Sequence, residues 1–207
     1  MAAIVLCCAA TPARTQPLET IRVASAADDD VTPVLYAQKT GMFAKAGLDV
    51  QLQRANNGAA IAAAVAGGSV DIGKSSLMAL LAGHERGLGF VLVAPSGLYT
   101  SEDPTAILVV PQNSPIRSAA DLTGKTMPTT ALRELMEIAT ENWVDRNGGR
   151  SDSMKFIEMP GSSFLPALED GRVDAATAIG PILQSIMRTG KYRVVAHPMD
   201  AIARRFL

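Results

Sequence analysis

Apolar and polar positions along the chain follow the two-residue period of strands in some segments and the longer period of helices in others. Ile21–Ala24 is a short apolar strand, and Leu48–Gln53 alternates apolar and polar residues as a half-exposed strand does. Thr32 and Pro33 predict a helix start, since Thr is a favoured N-cap and Pro a favoured first residue. Phe90–Ala94 is apolar throughout and predicts a central strand. The same patterns predict helices that begin at Asn57 and at Ser75-Ser76, and a strand over Val70–Gly73.

The second half of the chain repeats this alternation of strands and helices. Ala131–Asn147 is the longest predicted helix, and Gly148-Gly149 ends it. Strands that alternate with helices along a chain favour a parallel α/β architecture. The predicted strands are Thr105–Val110, Thr126–Thr129, Lys155–Met159, Val173–Ala178 and Tyr192–Ala196, and the shorter helices are Ser163–Asp170 and Pro181–Thr189.

One octapeptide occurs twice in similar form. Ala64–Asp71 (AVAGGSVD) resembles Ala167–Asp174 (ALEDGRVD), and each is a helix end, a Gly, one spacer and Val-Asp entering a strand. Two interpretations stay open: two α/β units of like topology, or one common loop sequence that occurs twice by chance. The first predicts two lobes, residues 20–100 and 105–200, joined near Tyr99–Pro104, where hydrophobicity falls. A ligand would then bind between the lobes.

Composition and charge narrow the classes of function. Hydrophobic residues make up 48% of the 207 residues, which is enough for a core and excludes a wholly disordered chain. A net charge of -1 provides no basic surface for nucleic acid. Cys7 and Cys8 are adjacent, and there are only two histidines, so a disulfide framework and a multi-histidine metal centre are excluded. We therefore expect no nucleic-acid partner, no metal and no other cofactor.

The N-terminus has the pattern of an export signal. Ala2–Ala10 is apolar or small throughout, and it is about half the ~20 residues that span a bilayer. Thr11–Pro17 follows as a small-residue cleavage region. We interpret residues 1–16 as a signal peptide, incomplete because no Lys or Arg precedes the apolar run. Lipidation at the cysteines and a buried N-terminal strand are the alternatives. The signal-peptide interpretation predicts an exported protein.

Residues that directly follow predicted strands are the candidate ligand contacts, because ligands of parallel α/β sheets bind at the carboxyl ends of strands. These positions are rich in hydroxyl, amide and glycine residues, and helix N-termini there provide N–H groups that favour anions. The candidates are Ala27, Asp28, Asn56, Asn57, Ser75, Ser76 and Tyr99 in the first lobe, and Thr129, Thr130 and Gly180 in the second.

Each candidate also has a purely structural interpretation. The hydroxyl residues are good N-caps, and the run Asp28–Asp30 fits either a helix dipole or contact with a ligand amine. No Gly-x-Ser-x-Gly elbow, phosphate-binding loop or GxGxxG motif occurs, and neither His84 nor His197 has a local Ser or carboxylate partner. The sequence therefore predicts binding and no catalysis.

Several short segments of the chain, taken in order, resemble the sequences of one protein family. They are Thr32-Pro33 through Tyr36-Ala37, Gly41-Met42-Phe43 with Ala46–Val50, Gly68–Gly73, Ala120–Thr126 and Gly171–Ala175. This pattern is similar to the periplasmic solute-binding proteins of ABC importers, of the nitrate, alkanesulfonate and taurine type. That group shares its fold with binders and synthases of thiamine-pyrimidine precursors.

The resemblance implies an α/β, two-lobed type II periplasmic binding protein fold, C-terminally truncated, since family members continue beyond the second lobe to complete the first. The first lobe is then expected to expose a sheet edge and to be the less stable lobe. Family ligand contacts fall on the loop after the first strand and on Asn56-Asn57, Ser75-Ser76 and Thr129-Thr130. Two departures are Gly180, where the family often has an acidic residue, and Pro128, which is expected to shift its loop.

The function that the resemblance implies is the substrate-binding component of an ABC importer, which captures a small anionic or zwitterionic organic solute. Its partners would be that ligand and a membrane permease, and the protein would be a monomer. Two alternatives stay open. A pyrimidine-precursor synthase of the same fold would need a buried lysine and a His/Cys-rich iron site. A ligand-sensing domain of a regulator would need an attached helix-turn-helix.

Overall fold

A computed structural model describes residues 17–206 of the chain. The predicted signal peptide, residues 1–16, lies outside the described residues. Within them, no helix combines the length and the apolar composition that crossing a membrane requires. The described chain forms two lobes, which we call lobe 1 (residues 19–98) and lobe 2 (residues 106–203). The hinge between them consists of residues 99–105 and 204–206.

Lobe 1 is built on a parallel sheet of three strands in the order β2-β1-β3. Strand β1 lies in the centre, with Ile21 opposite Val50 of β2 and Val23 opposite Ile72 of β3. Val70–Gly73 forms a strand only over Ile72–Gly73, and Thr32 is the first residue of its helix, whose N-cap is Val31. The other predicted strands and helix starts of this lobe are confirmed, apart from one strand. Its elements are β1 (Glu19–Ser25), α1 (Thr32–Lys39), α2 (Met42–Lys45), β2 (Leu48–Arg54), α3 (Gly58–Ala66), β3 (Ile72–Gly73), α4 (Leu77–Glu85) and a 3-10 turn at Asp29–Val31.

The predicted central strand over Phe90–Ala94 is wrong, because this segment has no regular secondary structure. Val91, Leu92 and Val93 are 83%, 78% and 77% exposed. An apolar run has the propensity for a strand, but a strand forms only when a neighbouring edge pairs with it. Within the described residues, β3 pairs with β1 on one side only, and 90–94 does not occupy its other side.

Lobe 2 has a three-stranded antiparallel sheet with β5 at its centre, in the order β8-β5-β9. The expectation of parallel strands is wrong for this sheet, because the chain that leaves β5 first forms β6 and β7 outside it and returns to both sides of β5 only with β8 and β9. A parallel pair, β6 and β7, lies beside this sheet. The elements are β5 (Ala106–Pro111), β6 (Thr126–Thr129), α5 (Leu135–Arg146), β7 (Lys155–Glu158), α6 (Phe164–Glu169), β8 (Ala176–Ile179), α7 (Gly180–Met187), β9 (Tyr192–Ala196) and 3-10 turns at Ala120–Leu122, Ser151–Ser153, Gly161–Ser163 and Pro198–Ala201.

The start of α5 also differs from the prediction. The helix begins at Leu135, later than the predicted start at Ala131. Arg133 has a φ of 61°, in the left-handed region, which a right-handed helix does not contain. The residues from Thr130 to Glu134 therefore form a loop at the end of β6.

Two short strands form the hinge. Tyr99–Thr100 (β4) pairs antiparallel with Arg205–Phe206 (β10), so two segments of chain lie side by side between the lobes. The hydroxyl of Tyr99 donates a hydrogen bond to Asp200 at 2.7 Å, and the hydroxyl of Ser101 donates to the same carboxylate at 2.6 Å. These bonds fix the end of lobe 2 to the segment that leaves lobe 1.

The repeated octapeptide has the same backbone structure in both lobes. Gly68 and Gly171 have φ angles of 71° and 67°, which glycine adopts at little cost. The residue after each glycine donates a hydrogen bond to the carbonyl at the start of the octapeptide, at 3.0 Å for Ser69 and 2.9 Å for Arg172. The two octapeptides are therefore equivalent helix-to-strand turns, a result that both interpretations of the repeat predict.

The aspartate that ends each octapeptide anchors the turn to a neighbouring strand. Asp71 accepts a hydrogen bond from the backbone N–H of Arg22 at 2.8 Å, and Asp174 accepts one from the N–H of Thr126 at 2.8 Å. The side chain of Arg22 also donates to Asp71, and these hydrogen bonds lower the pKa of Asp71 to about 2. In each lobe, the aspartate of the Val-Asp pair thus joins the turn after a helix to a strand of the neighbouring sheet.

The lobes differ in how much apolar surface they bury. In lobe 1 the described core cluster consists of Ala24, Ile61 and Val70. Lobe 2 packs larger clusters on both faces of its sheet, around residues such as Leu108 and Ile186 that are fully buried. Burial of apolar area is the main stabilising contribution to folding, so lobe 2 is the more strongly stabilised.

We predict that backbone amides of lobe 1 exchange with solvent faster than those of lobe 2, because its smaller core is opened at a lower free energy. Hydrogen exchange resolved by segment would measure this, with β1 and β2 compared against β5 and β8. Equal protection of the two sets in a monomeric protein would contradict the prediction.

We predict that Leu108→Ala lowers the free energy of unfolding by about 2–5 kcal/mol, since it leaves a cavity at the centre of the lobe 2 sheet. The matched control is Val91→Ala, which removes apolar atoms from an exposed side chain and should change stability by less than about 0.5 kcal/mol. Denaturant titrations of both variants provide the measurement. A large loss at Val91 would mean that the 90–94 segment is buried in solution.

Candidate functional site

The topology of lobe 1 brings three loops together at one edge of its sheet. Because β1, β2 and β3 are parallel, the residues that follow them all lie at the same end. These loops begin at Ser25, Arg54 and Lys74. Parallel α/β sheets bind their ligands at this edge.

A cleft of about 260 Å³ lies between the loop after β1, the start of α1 and the end of β2. Two of the predicted contacts, Ala27 and Asp28, line it, and from lobe 2 it is lined by Pro181, the neighbour of the predicted Gly180. Its other lining residues were not among the candidate ligand contacts, although Ser25, Ala26 and Arg54 directly follow predicted strands. The complete lining is Ser25, Ala26, Ala27, Asp28, Asp29, Val31, Thr32, Leu35, Leu52, Arg54 and Pro181.

Asp28 takes part in an ion pair that the sequence did not indicate. The ammonium group of Lys74 hydrogen-bonds the Asp28 carboxylate and lies 3.0 Å from Oδ2 of Asp30. Burial lowers the pKa of Lys74, but the hydrogen bonds and charges of the two aspartates outweigh this effect and raise it above its ordinary value. Lys74 therefore stays charged and joins the loop after β1 to the loop after β3.

Asn57 and Thr130 are brought together across the two lobes. The side-chain oxygen of Asn57 accepts a hydrogen bond from the N–H of Ala60 at 2.9 Å, which caps α3. Its amide nitrogen donates to the carbonyl oxygen of Thr130 at 3.2 Å. One side chain thus performs both the capping role and an inter-lobe contact. Asn56, beside it, is exposed.

The predicted serines are bonded within lobe 1. Ser76 accepts a hydrogen bond from the N–H of Ala79 at 3.2 Å, which confirms the N-cap interpretation for this residue. The hydroxyl of Ser75 donates to the carbonyl oxygen of Gly58 at 2.8 Å. A Cβ atom on Gly58 would lie 2.6 Å from the backbone nitrogen of Ser76, so the absence of a side chain allows the starts of α3 and α4 to touch.

Thr129 and Tyr99 do not line the cleft. The hydroxyl of Thr129 is buried and donates to the carbonyl oxygen of Ala131 at 2.7 Å, which shapes the loop after β6. Tyr99 is 4% exposed and lies at the hinge, where its hydroxyl donates to Asp200. Both residues were predicted as ligand contacts, and the structure places them in supporting positions.

Gly180 lies where lobe 2 comes closest to the loop after β1. Its φ is 47°, and a Cβ atom at this position would lie 2.9 Å from Oδ2 of Asp29. A non-bonded contact that short is repulsive, so a side chain here would hold the lobes apart. The glycine therefore permits the approach of the Asp29 carboxylate to the start of α7.

In the described part of the chain, no group of three or more His, Cys, Asp or Glu side chains is placed to hold a metal ion. The groups that can act on a bound molecule in the cleft are two carboxylates, a guanidinium and two hydroxyls, and apolar side chains make up most of the rest of the lining. Such a set can bind and orient a small molecule.

Several solved structures with a similar fold are named as solute-binding proteins. The alkanesulfonate-binding protein SsuA of Xanthomonas axonopodis pv. citri, bound to MOPS, has a TM-score of 0.72 at 16% identity, over 89% of this chain and 62% of that one. The periplasmic aliphatic sulphonate-binding protein SsuA of Escherichia coli has a TM-score of 0.66 at 18% identity, over 88% of this chain and 58% of that one. The periplasmic nitrate-binding protein NrtA of Synechocystis PCC 6803 has a TM-score of 0.64 at 14% identity, over 86% of this chain and 51% of that one.

These similarities establish the two-lobed periplasmic binding protein fold. The chain spans between 51% and 62% of the length of the three proteins. No curated protein matches the chain in sequence. The sequence profile described as NMT1/THI5 like matches residues 28–204, which includes lobe 2, lobe 1 after β1, and every predicted ligand contact except Ala27. The chain therefore belongs to the NMT1/THI5-like family.

Proposed function

We propose that this protein is the substrate-binding component of an ABC importer and that it captures a small organic solute between its lobes. A cleft of about 260 Å³ in lobe 1 reaches the start of α7 in lobe 2 through Pro181, and on this observation we base the role. Two further contacts join the lobes, since Asn57 reaches Thr130 and Asp29 approaches Gly180. The structural neighbours named for sulfonate and nitrate binding support the same role.

Capture proceeds by closure of the lobes about the hinge. A solute that contacts both lobes favours the closed arrangement by its differential affinity for the two states. The closed protein then docks on a membrane permease, which receives the solute. In this role the protein is exported to the periplasm and acts as a monomer.

The properties of Lys74 favour binding over the synthase alternative. A lysine that forms a Schiff base must lose its proton, and enzymes achieve this by lowering its pKa. Two carboxylates raise the pKa of Lys74 instead, so it is held as an ammonium ion. Its role is to hold the loops at the edge of the cleft.

A thermal-shift screen of small sulfonates, carboxylates, amines and pyrimidines tests the proposed role. We expect at least one class to raise the melting temperature in a saturable way, because a ligand that binds only the folded state stabilises it. Absorbance of the purified protein in the range of organic cofactors serves as the companion measurement. A stoichiometric cofactor band, or no response to any class, would overturn the proposal.

We predict that Asn57→Asp weakens binding of the solute identified in that screen by about five- to ten-fold. The new carboxylate still accepts the hydrogen bond that caps α3. It has no N–H group to donate to the carbonyl oxygen of Thr130, so the hydrogen bond between the lobes, worth about 1 kcal/mol, is lost. Isothermal titration measures the affinity. Asn113→Asp introduces the same charge at an exposed loop of lobe 2 and should bind normally. Equal losses in both variants would exclude a specific role for Asn57.

We predict that Gly180→Ala disfavours closure, because its Cβ would meet the Asp29 carboxylate. Spin labels at Gln53→Cys and Gln184→Cys, in a protein with Cys7 and Cys8 replaced by Ser, would measure the distance between the lobes, which should be longer in the Gly180→Ala variant than in the parent. Isothermal titration should show a weaker affinity of the same variant for the solute.

Gly190→Ala is the matched control for this prediction. Gly190 has a φ of 67°, and no atom lies within 4 Å of the position that a Cβ would occupy. An alanine at position 190 therefore strains the backbone, as one at position 180 does, but makes no repulsive contact with another side chain. This variant should lose stability while its label distance and affinity stay those of the parent. If the two alanine variants behave alike, the effect at position 180 is strain alone.

A further inference from the structure

The segment between α4 and the hinge has a main chain without hydrogen-bond partners. Within the described residues, no backbone hydrogen bond is formed by residues 91–98, and the segment contains no turn or bend. Val91, Leu92 and Val93 are each at least 77% exposed. Successive side chains of an extended segment point to opposite faces, so this one presents apolar groups on both faces. It therefore has the character of a central strand that lacks its sheet.

Contacts at both ends of the segment fix its direction. The ring of Phe90 packs against Gly83 near the end of α4, where a Cβ atom would overlap it. Phe90 also lines a cavity of about 240 Å³ with the last residues of α3, at the end of the lobe where β3 begins. At the opposite end, a Cβ atom on Gly97 would lie 2.7 Å from Oδ1 of Asp30, which follows β1. Residues 90–97 therefore run in the same direction as β3.

Lobe 2 shows how such an arrangement is completed in a sheet. There β8, α7 and β9 follow one another as β3, α4 and residues 90–94 do in lobe 1. Strand β5 lies between β8 and β9 and runs antiparallel to both. Within the described residues, no strand of lobe 1 occupies the corresponding place beside β3. An apolar strand that ran antiparallel to β3 and to residues 90–94 would pair with both of them there.

The segment is itself complementary to such a strand. Its sequence is FVLVA, so in an antiparallel pair centred on Leu92 each Val91 faces Val93 of a second copy. Residues 87–98 contain no charged side chain, and like charges therefore do not face each other across this pair. Pro95 has no N–H group, which limits the pairing to residues 90–94, an ordinary length for a strand.

We propose that two copies of this chain form a dimer by reciprocal exchange of residues 90–94. The segment of each copy lies beside β3 of the other copy and pairs with its own equivalent at a two-fold axis. Because the same surface is used on both copies, the assembly closes at two chains. In each copy, the segment of the other chain takes the place that β5 takes in lobe 2.

The apolar area at this surface suits a weak dimer. Burial of one Val, Leu or Ile side chain removes about 60–120 Å² of apolar surface. With the paired main chain, the dimer buries on the order of 1,000 Å² in total, at the lower end for specific interfaces, and we expect association at on the order of 10–100 μM. The monomer of the proposed binding role predominates at lower concentrations. The side chains concerned, each at least 40% exposed, are Ile72, Leu88, Val91, Leu92, Val93 and Leu98.

Sedimentation velocity of the whole chain over a series of concentrations tests the proposal. We expect an equilibrium between monomer and dimer, without larger species. Leu92→Lys should weaken the dimer by at least about 100-fold, because it removes two buried leucines and places two like charges opposite each other. Leu92 is exposed in one copy alone, so the variant keeps its fold. Met42→Lys, at an exposed apolar position of α2, is the control and should dimerise as the parent does.

A cross-link tests the position of the two-fold axis. In a protein with Cys7 and Cys8 replaced by Ser, Leu92→Cys places two thiols directly opposite each other, close enough for a disulfide. Mild oxidation should convert this variant to a covalent dimer, whereas Met42→Cys in the same background should stay uncross-linked.

Several results would overturn the proposal. A dimer that persists in Leu92→Lys would place the interface elsewhere, and association beyond two copies would exclude a closed two-fold exchange. A chain that stays monomeric at every concentration would refute the dimer. Slow hydrogen exchange at residues 91–93 of such a monomer would mean that the chain covers the segment with its own residues.

Discussion

Pairing of β1 with a parallel strand on each side is the constraint on which the site depends. It places the loops after all three strands at one edge of lobe 1, so side chains far apart in sequence become neighbours there. Lys74 then joins two of the loops by its contacts with Asp28 and Asp30. The loop geometry is thus set first by sheet hydrogen bonds and then by an ion pair. Little of it depends on the small apolar core of the lobe.

Glycines set how closely the parts of the site approach one another. Gly58 lets the start of α3 touch Ser76, Gly97 lets its loop touch the Asp30 carboxylate, and Gly180 lets lobe 2 touch Asp29. At each of these positions a Cβ atom would lie under 3.0 Å from another atom. The site is therefore assembled by backbone proximity, and only a few side chains are left to meet a ligand.

Local features were predictable from the sequence, and long-range pairings were not. The cap at Asn57, the turn at the repeated Val-Asp signature and most strands follow from residues close together in the chain. Phe90–Ala94 has the propensity for a strand but no local signal for a partner. The direction of β5 relative to its neighbours depends on β8 and β9, which come more than 60 residues later in the chain. The Lys74–Asp28 contact likewise joins residues 46 positions apart.

The hinge has a consequence for the entropy of closure. Two short antiparallel strands, β4 and β10, run side by side between the lobes, and hydrogen bonds from Tyr99 and Ser101 fasten them to Asp200. In the proposed closure the two segments would have to change conformation together, because they are hydrogen-bonded to each other. Paired segments have fewer independent backbone torsions than two separate linkers would have. The conformational entropy that separates an open from a closed arrangement is correspondingly smaller.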